Sequence, residues 1–141
     1  MKEDSFQTNL SGGVKMDNIV QEILNAYFKS WNEGFISGNG DGIRQHMSKN
    51  FVGYWAHSNL VKPEEYHYNY DLNDVLKNEG NAKKSFEVIS ITQRKNGDEL
   101  LVIGREKNVV NGESIFAQCM LIWRKEETKW KLLREYIEIE R

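Results

Sequence analysis

Tyr27 and Trp31 stand four residues apart in AYFKSWNEGF, a spacing that stacks their rings along one helix face. Two readings of the pair stay open: an ordinary core stripe, or one wall of a cavity where a phenol and an indole find hydrogen-bond partners. His67, in YHYNY, has the side chain best suited to proton transfer, since an unperturbed imidazole titrates near pH ~6.5. A packed or solvent-exposed ring is the competing reading. Arg105, in LVIGREKN, would bind a carboxylate through paired hydrogen bonds if it faced a pocket. On the solvent face it would meet acidic neighbours instead, and a one-residue slip in register separates the two cases. His46 and His57 match no recognisable site.

Other chemistries have no foundation in the chain. No cluster of cysteine and histidine has metal-ligand spacing, no Gly-x-Gly-x-x-Gly follows a strand and no Gly-x-Ser-x-Gly elbow occurs, so neither metal nor cofactor is expected. The one cysteine, Cys119, lies in the apolar run CMLIW, where it reads as a small hydrophobe. The 19 basic and 21 acidic residues nearly balance, which favours neither nucleic acid nor an anionic membrane as partner. The N-terminus is polar, without the apolar centre of a signal peptide, and no run approaches the ~20 apolar residues of a membrane span. A soluble cytoplasmic protein is the expectation.

The 141 residues suit a single domain with a core of its own. Residues 1–15 read as a polar arm and 16–141 as the domain. A first helix is expected from Asp17 or Asn18, where Asn18 and Gln21 resemble a capping box. Ile19, Val20, Ile23, Leu24, Tyr27, Trp31 and Phe35 fill one half of its wheel, an arc wide enough to lie deep against a sheet. A second helix is expected over Asp41–Ser48, and a third from Pro63 to about Tyr70, with Glu64 and Glu65 in its first turn. The rest reads as four strands, beginning at Ser85, Glu99, Glu113 and Lys129. Asn96-Gly97 and Asn111-Gly112 mark hairpins between the first three. Helices followed by an antiparallel meander make an α+β plan. On the last strand, unbroken alternation groups Trp130, Leu132, Arg134 and Tyr136 on one face and Leu133, Glu135, Ile137 and Ile139 on the other.

This order of parts resembles the nuclear transport factor 2-like superfamily, also described as SnoaL-like or cystatin-like. The resemblance is carried by AYFKSWNEGF, by NFVGYW after the short helix and by KWKLLREYIEIE at the end. It implies helices packed on a strongly curved antiparallel sheet, a cone with a central cavity. Within the superfamily, LVKPEEYHYNYDLN is most similar to the association-domain branch named after calcium/calmodulin-dependent protein kinase II. Nothing in the chain resembles a kinase. That branch implies that His67 and Arg105 face the cavity. It commonly has histidines at the positions of Arg134 and Tyr136, from which this chain departs. The acidic residue that many of the superfamily's enzymes carry after the second helix is also missing from GYWAHSN.

These readings combine into a small-molecule-binding protein whose cavity would be lined by Tyr27, Trp31, Tyr54, Arg134 and Tyr136. Any chemistry, of hydro-lyase, isomerase or cyclase type on a carbonyl or acidic ligand, would fall to His67 for proton transfer and Arg105 for charge stabilisation. If Trp31 lines an open cavity, Trp31→Ala should cost less than the ~3–5 kcal/mol of a close-packed aromatic. The rival reading is a non-catalytic module that forms a homodimer or higher homo-oligomer through the sheet, whose last strands alternate apolar residues on both faces.

Overall fold

The computed structural model describes residues 10–141; residues 1–9, within the expected N-terminal arm, lie outside the described residues. Helix α1 (Leu10–Ser37) starts well before Asp17. With no proline in the way, each residue added to a nucleated helix gains a backbone hydrogen bond, so Asp17 and Asn18 lie inside it instead of capping it. Its wide apolar arc is buried as its spacing requires: Val20, Leu24, Tyr27, Phe28, Trp31 and Phe35 all pack inward.

Helix α2 (Asp41–Arg44) is only one turn long. The segment expected to extend it is captured by strand β1 (Met47–Ala56), where Met47 stands opposite Leu132 and the Leu132 N–H donates to the His46 carbonyl at 2.8 Å. The helix expected from Pro63 is instead strand β2 (Glu64–His67), paired antiparallel with Val52–Trp55. Pro63, with no N–H to offer a ladder, sits just ahead of this edge strand. Helix α3 (Leu72–Asn78) comes later in the chain. Asp71 caps it by accepting from the Asp74 N–H at 3.1 Å, and Leu72 and Leu76 bury one face.

Strands β3 (Lys83–Arg94), β4 (Glu99–Val110), β5 (Glu113–Glu126) and β6 (Lys129–Ile139) form the meander. Asn111 and Gly112, with φ of 52° and 82°, make the left-handed turn between β4 and β5. Asn96 and Gly97 turn the chain between β3 and β4 in the same region of backbone space. The six-stranded order is β2-β1-β6-β5-β4-β3, antiparallel except for the β1–β6 pair. The sheet curls over α1, and Phe28 stacks on Phe86 at 5.5 Å while Tyr27 meets the Trp123 ring edge-on at 5.3 Å.

Two bulges fix which side chains face the helix. One lies between Val88 and Ser90, leaving Ile89 as the extra residue. The other lets Leu132 oppose Trp123 and Arg134 oppose Ile122, with Leu133 left over. On β6 the alternation is therefore re-phased: Leu132 and Glu135 are both buried, and Arg134 and Tyr136 turn outward. The expected grouping of Leu132 with Arg134 and Tyr136 fails at this bulge.

Candidate functional site

The concave face that meets α1 carries charge where apolar residues would be expected. Glu106 and Asn108 follow Leu100, Val102 and Gly104 in inward phase along β4, Lys84 precedes Phe86 on β3, and Glu135 precedes Ile137 on β6. Glu106, Asn108 and Glu135 are all buried.

Glu135 is the centre of this group. Tyr66 on β2 donates its phenol to Glu135 Oε2 at 2.5 Å, although β1 runs between the two strands. The intervening residue is Gly53, which pairs with Tyr66 on one side and Glu135 on the other. A Cβ at Gly53 would overlap the Tyr66 ring and crowd Phe51, so the bare backbone is what lets the phenol lie across β1. Gly104 gives Phe86 the same close approach at the β3–β4 end of the same face.

Burial pushes the Glu135 carboxyl up to about 7, because loss of hydration penalises its charged form. The Tyr66 phenol opposes this, the Glu106 carboxylate adds to it, and Lys84 and the Tyr27 phenol oppose it. Burial and the nearby carboxylate together raise Tyr27, Tyr66 and Tyr70, so all three stay protonated donors. Lys84 donates to Glu106 Oε2 at 3.2 Å with both side chains about 10% exposed, and its ammonium lies 4.9 Å from the centre of the Trp31 ring. Burial alone would lower the Lys84 pKa, but Glu106, Glu79 and Glu135 outweigh it and raise it. Asn32 on α1 fixes the Lys84 backbone at both its N–H (2.7 Å) and its carbonyl (3.1 Å). Among the described residues, two buried polar atoms on this face have no partner, Trp123 Nε1 and Asn108 Oδ1.

The arrangement sets a carboxyl raised toward neutrality, phenol donors and an ion pair among packed aromatic side chains. Cys119 shares the face, but burial drives its thiol pKa far upward, which makes it a poor nucleophile. Among the described residues, no group of three or more His, Cys, Asp or Glu is placed to hold a metal ion.

Of the residues singled out in the sequence, Tyr27 and Trp31 join this group. The other five do not. His67 is exposed on the edge strand, with Nε2 2.8 Å from Glu65 Oε2, because alternation along β2 turns it away from Tyr66. Arg105 faces outward, stacks over Phe116 at 3.7 Å and donates twice to Glu140 at 2.8 Å. Arg134 donates to the Asn50 and Leu133 carbonyls, and Tyr136 donates to Glu138, all on the outer side. Tyr54 pairs with Tyr136 on that same face. The residues that sequence reasoning missed are Glu135, Glu106, Lys84 and Tyr66. For Glu135, Glu106 and Lys84 the signal was present as charged residues in phase with apolar ones.

The chain has the nuclear transport factor 2-like, or cystatin-like, fold. An NTF2-like protein of unknown function from Shewanella oneidensis MR-1 superposes with a TM-score of 0.65 at 17% identity, covering 88% of this chain and 98% of that one. One from Shewanella baltica OS155 gives 0.61 at 17% identity, covering 91% and 96%. A cystatin-like domain of unknown function from Nostoc punctiforme PCC 73102 gives 0.65 at 10% identity, covering 86% and 77%. No protein-family model matches the chain, and no curated protein does. Among the described residues no helix is long and apolar enough to cross a membrane.

Proposed function

We infer that the concave face binds a small organic ligand carrying a carbonyl or acidic group, with Glu135 as the residue that exchanges a proton with it. The observation that carries this reading is the buried Glu135 carboxyl, poised near neutrality beneath the Tyr66 and Tyr27 phenols. In this reading Tyr27 and Trp31 pack beside the ligand group, proton transfer passes from His67 to Glu135 and charge stabilisation from Arg105 to Lys84. Isomerase, hydro-lyase or cyclase chemistry would need no more than such a proton donor and acceptor beside fixed hydrogen-bond donors. Cyclic enones and aromatic keto acids, screened by thermal shift and confirmed by calorimetry, supply the test. A binder should be lost on Glu135→Gln and retained on Arg105→Gln. Equal binding to the Glu135→Gln variant would remove the reading.

A second reading is favoured by one specific feature. Ile103, Met120, Tyr136 and Tyr54 stand opposite one another across four neighbouring strands on the outer face. Ile103 and Met120 are 38% and 41% exposed, so this row forms an apolar stripe that a second copy of the chain would cover. Self-association through the sheet is compatible with a ligand on the concave side, because the two faces are separate.

A further inference from the structure

Away from the concave face, a cleft of about 390 Å³ opens where the end of α2, the start of β1, the end of β5 and the start of β6 meet. Four cationic side chains line it, Arg44, Lys49, Arg124 and Lys131, against the single carboxylate of Glu126. The chain as a whole carries a net charge of −2, so this concentration of positive charge runs against its average.

How the cations are held matters more than their number. Glu126 is already satisfied: Arg124 reaches its Oε2 at 2.5 Å and Ser48 donates to the same oxygen at 2.7 Å. Arg44 donates to the Tyr68 and Tyr70 carbonyls, and Lys131 donates to the Gln45 carbonyl at 2.5 Å. Neutral carbonyls fix the positions of these groups without neutralising them. Among the described residues no carboxylate pairs with Arg44, Lys49 or Lys131. Two pre-positioned positive charges, Arg44 and Lys131, therefore line one concavity together with the exposed Lys49, and Tyr68, whose ring lies 5.6 Å from the Arg44 guanidinium, forms part of its wall.

We propose that this cleft binds a dianionic phosphoryl group, as a small phosphate monoester whose organic part lies against Tyr68. A single carboxylate would leave most of the positive charge unmatched, whereas a phosphoryl dianion offers three acceptor oxygens to several donors. The cations line a single cleft of about 390 Å³, a size that suits a small molecule.

Isothermal titration with inorganic phosphate and with phenyl phosphate, at ionic strength held constant by potassium chloride, tests the proposal. Saturable binding is expected for both, tighter for phenyl phosphate, and Lys49→Gln with Lys131→Gln should weaken it by about tenfold or more. Circular dichroism verifies that the double variant is folded. If loss of the Gln45 contact unfolds it, Lys49→Gln alone, at an exposed position, should still weaken phosphate binding severalfold. Heat changes no larger than those of matched chloride would overturn the proposal. So would unchanged affinity in the folded variant, or binding to anionic phospholipid vesicles without binding to either soluble phosphate.

Discussion

The Tyr66 phenol reaches the Glu135 carboxylate at 2.5 Å by lying over Gly53, so two strands that are not neighbours are joined by a hydrogen bond across a third. Placing the missing methyl there should break the arrangement. Gly53→Ala sets a Cβ against the Tyr66 ring and Phe51, and overpacking of this kind costs about 1–3 kcal/mol. Urea denaturation should show a lower midpoint at unchanged slope. A Gly53→Ala variant as stable as wild type would mean that the ring moves aside freely.

Glu135 should make stability depend on pH in an unusual direction for a carboxylate. Its ordinary value is 4.5, and in the folded protein it keeps its proton to about 7. Between these values the folded state binds more protons than the unfolded one, so stability falls as pH rises through the window and levels off above it. The difference corresponds to about 3 kcal/mol. Glu126 and Glu140, whose cationic partners hold them below the usual range, act in the opposite sense and at lower pH. Denaturation curves at pH 5 and pH 8 should show this loss in wild type and its disappearance in Glu135→Gln. Parallel behaviour of the two proteins would contradict the assignment.

Lys84 and Glu106 should be costly to separate and cheap to remove together. Lys84→Met leaves a buried Glu106 carboxylate without its partner, a loss of about 3–5 kcal/mol. Adding Glu106→Leu to the same protein should recover most of that loss. A double variant no better than the single would show that the pair does not interact as its 3.2 Å separation implies.

Trp31 is only 7% exposed, with Phe35 at 5.6 Å and the Lys84 ammonium over its ring. Trp31→Ala should therefore cost about 3–5 kcal/mol, the range for a packed aromatic. This exceeds the milder loss expected when the helix sequence is read by itself. A loss below about 2 kcal/mol in chemical denaturation would restore the picture of an open wall.

The outer stripe should govern association. Light scattering at micromolar concentration is expected to give a dimer or larger species for wild type and a monomer for Met120→Glu, whose new charge lies in the centre of the row. A monomeric wild type would dismiss self-association through the sheet.

The sequence alone determined the elements whose signals are local. The 3.6-residue spacing from Val20 to Phe35 specified a buried helix, and the Asn-Gly turns specified the hairpins of the meander. Side-chain period and turn backbone geometry are properties of neighbouring residues, so they survive without knowledge of the rest of the chain. The segment from Pro63 to Tyr70 was misread because its helix-start residues are equally suited to an edge strand, and only β1 lying alongside decides between them. The site was hidden for a related reason. Arg105, Arg134 and Tyr136 needed only a change of face to leave the interior, and Glu135 only the same change to enter it. That face is set by pairing register and by the bulge at Leu133, which depend on strands far apart in the chain. The raised pKa of Glu135 is likewise tertiary in origin. A carboxyl is pushed toward neutrality by the loss of water around it, and burial exists only once the sheet has curled over α1.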